Sequence, residues 1–128
     1  MAEEAVNKTV VAGLADRKCE ACKSRGGNPQ LLSTEEVKTL MAQLCPSWSL
    51  SGDGKLIKKE FTAKNFKAAM AFINGCGDVA EEEGHHPDLH IESYRMVTVV
   101  LSTHSLGGLS MNDFIVAAKI DRVPATYR

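Results

Sequence analysis

The sequence predicts a small α+β domain, an antiparallel sheet covered on one face by helices in the order helix, strand, strand, helix, strand, helix. Three observations carry this expectation. Apolar residues recur at helical spacing in three segments, two of them opened by capping-box pairs. Two short apolar stretches flank the turn Ser51-Gly52-Asp53-Gly54, as a hairpin would. The run Met96-Val97-Thr98-Val99-Val100-Leu101 is rich in β-branched residues and apolar on both faces, which marks a central strand.

Residues 1–30 read as an irregular extension, charged and turn-rich from Asp16 to Pro29, and residues 31–128 as the folded domain. The first helix starts at Ser33, whose hydroxyl and the Glu36 carboxylate have the spacing that satisfies two otherwise unpaired backbone donors. Val37, Leu40, Met41 and Leu44 then form one apolar face, and Pro46 stops the helix. Trp48 to Leu50 and Lys55 to Phe61 are the arms of the hairpin. The second helix is expected over about 63–83, with Phe66, Ala69, Met70, Ile73 and Cys76 or Ala80 on one face. Gly75 and Gly77 weaken it, and Gly84 suits the left-handed residue that ends it. A single strand is expected over 91–101, then a turn at Gly107-Gly108. Ser110 and Asp113 cap a last helix that buries Met111, Phe114, Ile115 and Ala118. Three strands leave a sheet edge open, so association into a homo-oligomer is expected.

The 128 residues suit one domain with a modest core. A formal net charge of −1 gives no general field for nucleic acid or an anionic membrane. Aromatic content of 5% disfavours a base-stacking platform, and no apolar run approaches the roughly 20 residues that span a bilayer. The first residues carry Glu3 and Glu4 and do not resemble a signal peptide; with four sparse cysteines, a cytoplasmic location with free thiols is expected.

The chemistry concentrates in Glu81-Glu82-Glu83-Gly84-His85-His86-Pro87 and in Ser102-Thr103-His104. Imidazoles titrate near neutral pH, and carboxylates beside them favour the charged form. Three glutamates in the last turn of a helix oppose its dipole, and a role in raising the proton affinity of His85 and His86 would account for them. The bland alternative for His85-His86-Pro87 is a solvated surface loop. His90 reads as solvated or packing, Trp48 as a core anchor and Asp113 as a cap. Cys19-x-x-Cys22 has metal-ligand spacing, but no second pair completes a zinc site, and its turn-rich setting does not fit a redox motif.

Taken together, Glu81, His85-His86-Pro87, Tyr94, Leu101-Ser102-Thr103-His104, Gly108-Leu109-Ser110 and Asp113 resemble the pattern of the pterin-4a-carbinolamine dehydratase family. The resemblance covers about 31–123 and extends to Trp48 and the Phe61–Phe72 stretch. It departs from animal-type members in a longer interval from His86 to Tyr94 and in Leu89, where an aromatic often stands. The resemblance implies a dimer or tetramer and dehydration of 4a-hydroxytetrahydropterin to quinonoid dihydropterin and water, in support of tetrahydrobiopterin recycling. It implies a pterin substrate, no metal and no organic cofactor.

On this resemblance His85 and His104 are expected to be the acid–base pair, with His86 binding and orienting the pterin. Gly84, Pro87, Ser102 and Thr103 would contact the pterin's polar edge, and Glu81 would orient or tune a histidine. The rival class is a non-catalytic interaction protein, since some members act as a dimerization cofactor for a transcription factor. The intact histidine triad favours catalysis, and near-neutral charge disfavours direct DNA contact.

Overall fold

The computed structural model describes residues 13–19 and 30–128. Most of the N-terminal extension, including Cys22, lies outside the described residues. Within 13–19 the expectation of irregular structure fails in part. Residues 13–15 are helical, and Leu14 and Ala15 are buried in the core.

Helix α1 (Thr34–Met41) is capped as its sequence predicts: Glu36 N–H donates to Ser33 Oγ (3.1 Å) and Ser33 N–H to Glu36 Oε1 (2.8 Å). Val37, Leu40 and Leu44 are buried. Strands β1 (Trp48–Leu50) and β2 (Ile57–Thr62) form the expected hairpin. Its loop is held by Asp53 Oδ1, which accepts from the Ser51 hydroxyl (2.7 Å) and the Lys55 N–H (3.0 Å). Helix α2 (Phe66–Glu83) begins three residues later than expected, where the Asn65 side chain accepts the Ala68 N–H (2.8 Å). Ala63 instead bridges to Tyr127.

The buried face of α2 is also rotated from the expected one. Ala69, Phe72, Cys76 and Ala80 are buried, whereas Phe66 and Met70 are exposed. The helix carries two adjacent apolar stripes, and the sheet takes the one with Phe72, whose ring meets Phe61 edge-on at 4.9 Å. Gly75 has a packing reason within this helix. A Cβ there would come to 2.5 Å from Val123 Cγ1, so any larger residue would force the Val123 side chain to shift.

The stretch expected to be one strand over 91–101 is two. Strands β3 (Asp88–Glu92) and β4 (Met96–Leu101) pair antiparallel across a tight turn. Ser93 and Tyr94 make that turn with φ of 47° and 56°, left-handed values that neither residue type favours. The sheet order is β1-β2-β4-β3, so β4 is central, as its composition predicts. Ile57, Lys59 and Phe61 share the covered face with Val97, Val99 and Leu101. The other face carries mostly polar residues with Met96 and Val100 among them, and His90 lies exposed there. A 3₁₀ turn (His104–Leu106) and a left-handed Gly107 (φ 67°) lead to α3 (Met111–Ile120). Nearly every residue of α3 is buried, so it is the central helix, with α2 packed beside it. The chain is α+β with an antiparallel sheet, as expected, with a fourth strand added.

Substituting Ser93→Asn, a residue that tolerates the left-handed region, should stabilise the protein by about 1 kcal/mol, read as a higher urea midpoint at unchanged slope.

Candidate functional site

Two short segments converge at the start of α3. The first follows α2. Gly84 ends that helix with φ 69° and its N–H donates to Ala80 O (2.8 Å), which turns the chain and delivers His85 inward. The second follows β4, where Thr103 precedes the 3₁₀ turn and its N–H donates to Gly108 O (2.8 Å). Both segments end on one carboxylate, Asp113.

Asp113 is fully buried and accepts three hydrogen bonds. The His85 Nε2–H donates to Oδ1 at 2.7 Å. The Thr103 hydroxyl donates to Oδ2 at 2.7 Å, and the Ser110 N–H donates to the same oxygen at 3.0 Å. The Ser110 hydroxyl in turn lies 2.8 Å from Thr103 Oγ1. Asp113 is therefore the cap that the Ser110 spacing predicts, and it is also the partner of His85, which that spacing does not reveal. A carboxylate that accepts an imidazole N–H fixes the tautomer and ring orientation and stabilises the imidazolium when it forms.

The three candidate histidines stand in different settings. His85 is buried. His86 is exposed, and its Nε2 lies 2.8 Å from Glu81 Oε2. His104 is exposed at the first position of the 3₁₀ turn, next in sequence to Thr103. The structure thus brings His85 and Thr103 onto one carboxylate, and His86 onto another, without a direct hydrogen bond between imidazoles among the described residues. Gly84 is exposed and Pro87 half-buried beside them. The Ser102 hydroxyl donates to Lys55 O (3.0 Å) across the β1–β2 loop. The Thr103 hydroxyl, expected to meet substrate, is committed to Asp113 and Ser110.

Glu83 points elsewhere. Its side chain is 1% exposed; Oε1 accepts the Cys19 N–H (2.8 Å), and Oε2 forms an ion pair with Lys119 Nζ (2.9 Å) that falls short of an aligned hydrogen bond. Burial pushes this carboxyl up, but the Cys19 N–H and Lys119 outweigh it and hold it below its ordinary range. Of the three glutamates, Glu81 meets His86, and Glu83 joins α2 to α3 through Lys119.

A second buried carboxylate, Asp121, sits just past the other end of α3. Oδ1 accepts the Trp48 indole N–H (2.9 Å) and pairs with Lys59 (3.5 Å); Oδ2 accepts the Cys45 N–H (3.0 Å). A cavity of about 450 Å³ opens there, bordered by Ser47, Lys59, Phe72, Asp121, Val123 and Tyr127. None of the sequence-predicted site residues lines it. Burial first, then nearby carboxylates, pushes the Cys19 thiol up to about 12 and that of Cys45 to about 11; burial alone takes Cys76 to about 12. These thiols stay protonated at neutral pH and are poor nucleophiles. Among the described residues no group of three His, Cys, Asp or Glu converges as a metal site, and no helix is long and apolar enough to cross a membrane.

Two outcomes follow from these carboxylates. Replacing Asp113→Asn should destabilise the fold by about 2–3 kcal/mol in urea titrations, since Asn cannot accept from His85, Thr103 and Ser110 together. The Glu83 pKa is depressed on folding, so its stabilisation is present above the ordinary value of 4.5 and is lost as pH falls below it. The difference in melting temperature between wild type and Glu83→Gln should therefore be full at pH 7 and shrink steadily as the pH falls below 4.5.

The comparisons with known proteins agree with this fold and motif. A family model described as pterin 4 alpha carbinolamine dehydratase matches residues 30–123. A protein from Legionella pneumophila (strain Corby), provisionally named a pterin-4-alpha-carbinolamine dehydratase, is 40% identical over 114 residues, 89% of this chain and 97% of its own. A similarly named protein from Nitrosomonas europaea is 45% identical over 113 residues, 88% of this chain and 95% of its own. The crystal structure of a transcriptional coactivator/pterin dehydratase from Brucella melitensis superposes with a TM-score of 0.68 at 28% identity, covering 73% of this chain and 98% of that one. A pterin dehydratase-like RuBisCO assembly factor of the alpha-carboxysome shares the fold at a TM-score of 0.52 and 22% identity, covering 62% and 92%. The chain belongs to the pterin 4 alpha carbinolamine dehydratase family.

Proposed function

We propose that this protein dehydrates 4a-hydroxytetrahydropterin to quinonoid dihydropterin and water by histidine acid–base catalysis. The observation that carries the reading is the pair of carboxylate-backed imidazoles on adjacent residues, His85 on Asp113 and His86 on Glu81. Hydroxide is a poor leaving group, so the 4a-oxygen needs a proton as its C–O bond breaks, and a ring nitrogen must lose one. His85 and His104 form the acid–base pair. Asp113 fixes the ring orientation of His85 through their 2.7 Å contact, and His104 is open to solvent. His86, steadied by Glu81, binds and orients the pterin.

Gly84, Pro87 and Ser102 border the substrate. Thr103 contributes through Asp113, because its hydroxyl is already engaged there. The chain acts as a homo-oligomer in the cytoplasm and serves the recycling of tetrahydrobiopterin. The exposed edge strand β3 and the exposed Phe66 and Met70 of α2 support association.

The test is stopped-flow loss of the carbinolamine. His85→Ala and His104→Ala together should lower the enzymatic rate by about 10²–10⁴-fold, with the folded fraction checked by circular dichroism. An unchanged rate in the double variant sinks the residue assignment. Wild-type protein that fails to outpace spontaneous dehydration sinks the enzymatic reading and leaves the interaction-protein alternative.

A further inference from the structure

We propose that Glu83 is a positioning residue for His85, and that the N-terminal segment at Cys19 completes this support. The last turn of α2 holds three glutamates and no basic residue, the wrong charge for a helix C-terminus. Left alone, this turn would fray, and it is followed at once by Gly84, the most permissive residue for backbone rotation. Yet His85 must hold a 2.7 Å hydrogen bond to Asp113 immediately beyond that glycine.

The Gly84 and His85 N–H groups both donate to Ala80 O (2.8 and 3.3 Å), and the structure adds restraint from two other elements. Lys119 of α3 brings a positive charge to Glu83 at 2.9 Å. The Cys19 N–H donates to the other carboxylate oxygen at 2.8 Å. Cys19 also touches α3 directly, its thiol donating to Asn112 O at 3.7 Å, one residue before Asp113. Leu14 and Ala15, buried in the core, anchor the segment that carries Cys19.

The chain on either side of Gly84 is thus tied to the same helix. Glu83 is tied at Lys119, and His85 at Asp113, about 9 Å apart along α3 at 1.5 Å per residue. These two ties reinforce the cap bonds to Ala80 O and hold the side chains on both sides of the glycine. Glu83 does not touch substrate. It sets the approach of His85 to Asp113, and a misplacement of about 1 Å at such a group can cost on the order of 10²-fold in rate.

The catalytic readout rests on the dehydratase reading, so the test has a second arm that does not. In ¹⁵N-labelled protein the His85 Nε2 proton, held by a buried carboxylate, should give a downfield signal that exchanges slowly. In Glu83→Ala this signal should broaden or vanish, and kcat should fall by roughly 10–100-fold with KM changed by no more than about twofold. Glu83→Gln, which can still accept the Cys19 N–H, should be intermediate in both. If Glu83→Ala does not fold, Glu83→Gln still tests the proposal by its intermediate loss of signal and rate, and Lys119→Met, which also leaves the Cys19 N–H bond in place, should match it.

A sharp wild-type His85 signal in these variants overturns the proposal, whatever the rate does, because Glu83 then acts by another route. An unchanged kcat overturns it as well. If wild type itself shows no dehydratase activity, the His85 signal alone decides: its loss in Glu83→Ala supports the positioning role, and its retention removes it.

Discussion

One buried carboxylate organises this molecule. Asp113 cannot sit in an apolar core as an ion without compensation, because transfer of a charge from water costs several kcal/mol even after relaxation. Here three donors from three parts of the chain supply it: an imidazole from beyond α2, a hydroxyl from beyond β4 and a backbone N–H from the start of α3 itself. The positions of α2 and β4 relative to α3 are therefore tied to the satisfaction of one side chain. A shift of either element would leave a charge in the core short of a partner, which is far more costly than a loosened apolar contact.

The same device recurs about 12 Å away at the opposite end of the helix, eight residues on at 1.5 Å per residue. Asp121 gathers the Trp48 indole, the Cys45 N–H and the Lys59 ammonium. Lys59 is additionally held by the Ser47 hydroxyl at 2.7 Å and lies 5.8 Å from the Trp48 ring centre. α3 is thus buried along its length and pinned by a carboxylate at each end. The first pin supports the proposed chemistry. The second fixes the β1–β2 hairpin to the rest of the fold.

How much of this was legible in the sequence depended on how local each signal was. The caps at Ser33 and Ser110, the left-handed Gly84 and the central β4 all follow from spacings of a few residues. The histidine cluster was visible for the same reason. The partner of His85 was not, because His85 and Asp113 are far apart in the chain and the capping pattern around Ser110 already gave Asp113 a sufficient role. Glu83 was misread in the same way: its burial against Cys19 and Lys119 depends on tertiary packing. The β3–β4 turn was missed because Ser93 and Tyr94 lack the glycine or asparagine that normally marks left-handed backbone. The buried face of α2 was misjudged because Phe66 and Phe72 both offered an apolar stripe, and only contact with Phe61 decides between them.

The sheet order also has a kinetic consequence. The β1–β2 and β3–β4 pairings each join neighbours across a short turn and can form early, in microseconds. The β2–β4 ladder is different. It matches Ile57 with Leu101 and Thr62 with Met96, so the whole of α2 lies within the loop it closes. Closing that loop costs chain entropy before any contact repays it. An 18-residue helix formed beforehand shortens the span, which makes α2 a spacer for sheet assembly as well as a wall of the core. The two glycines that weaken α2 therefore act on the rate at which the two hairpins meet.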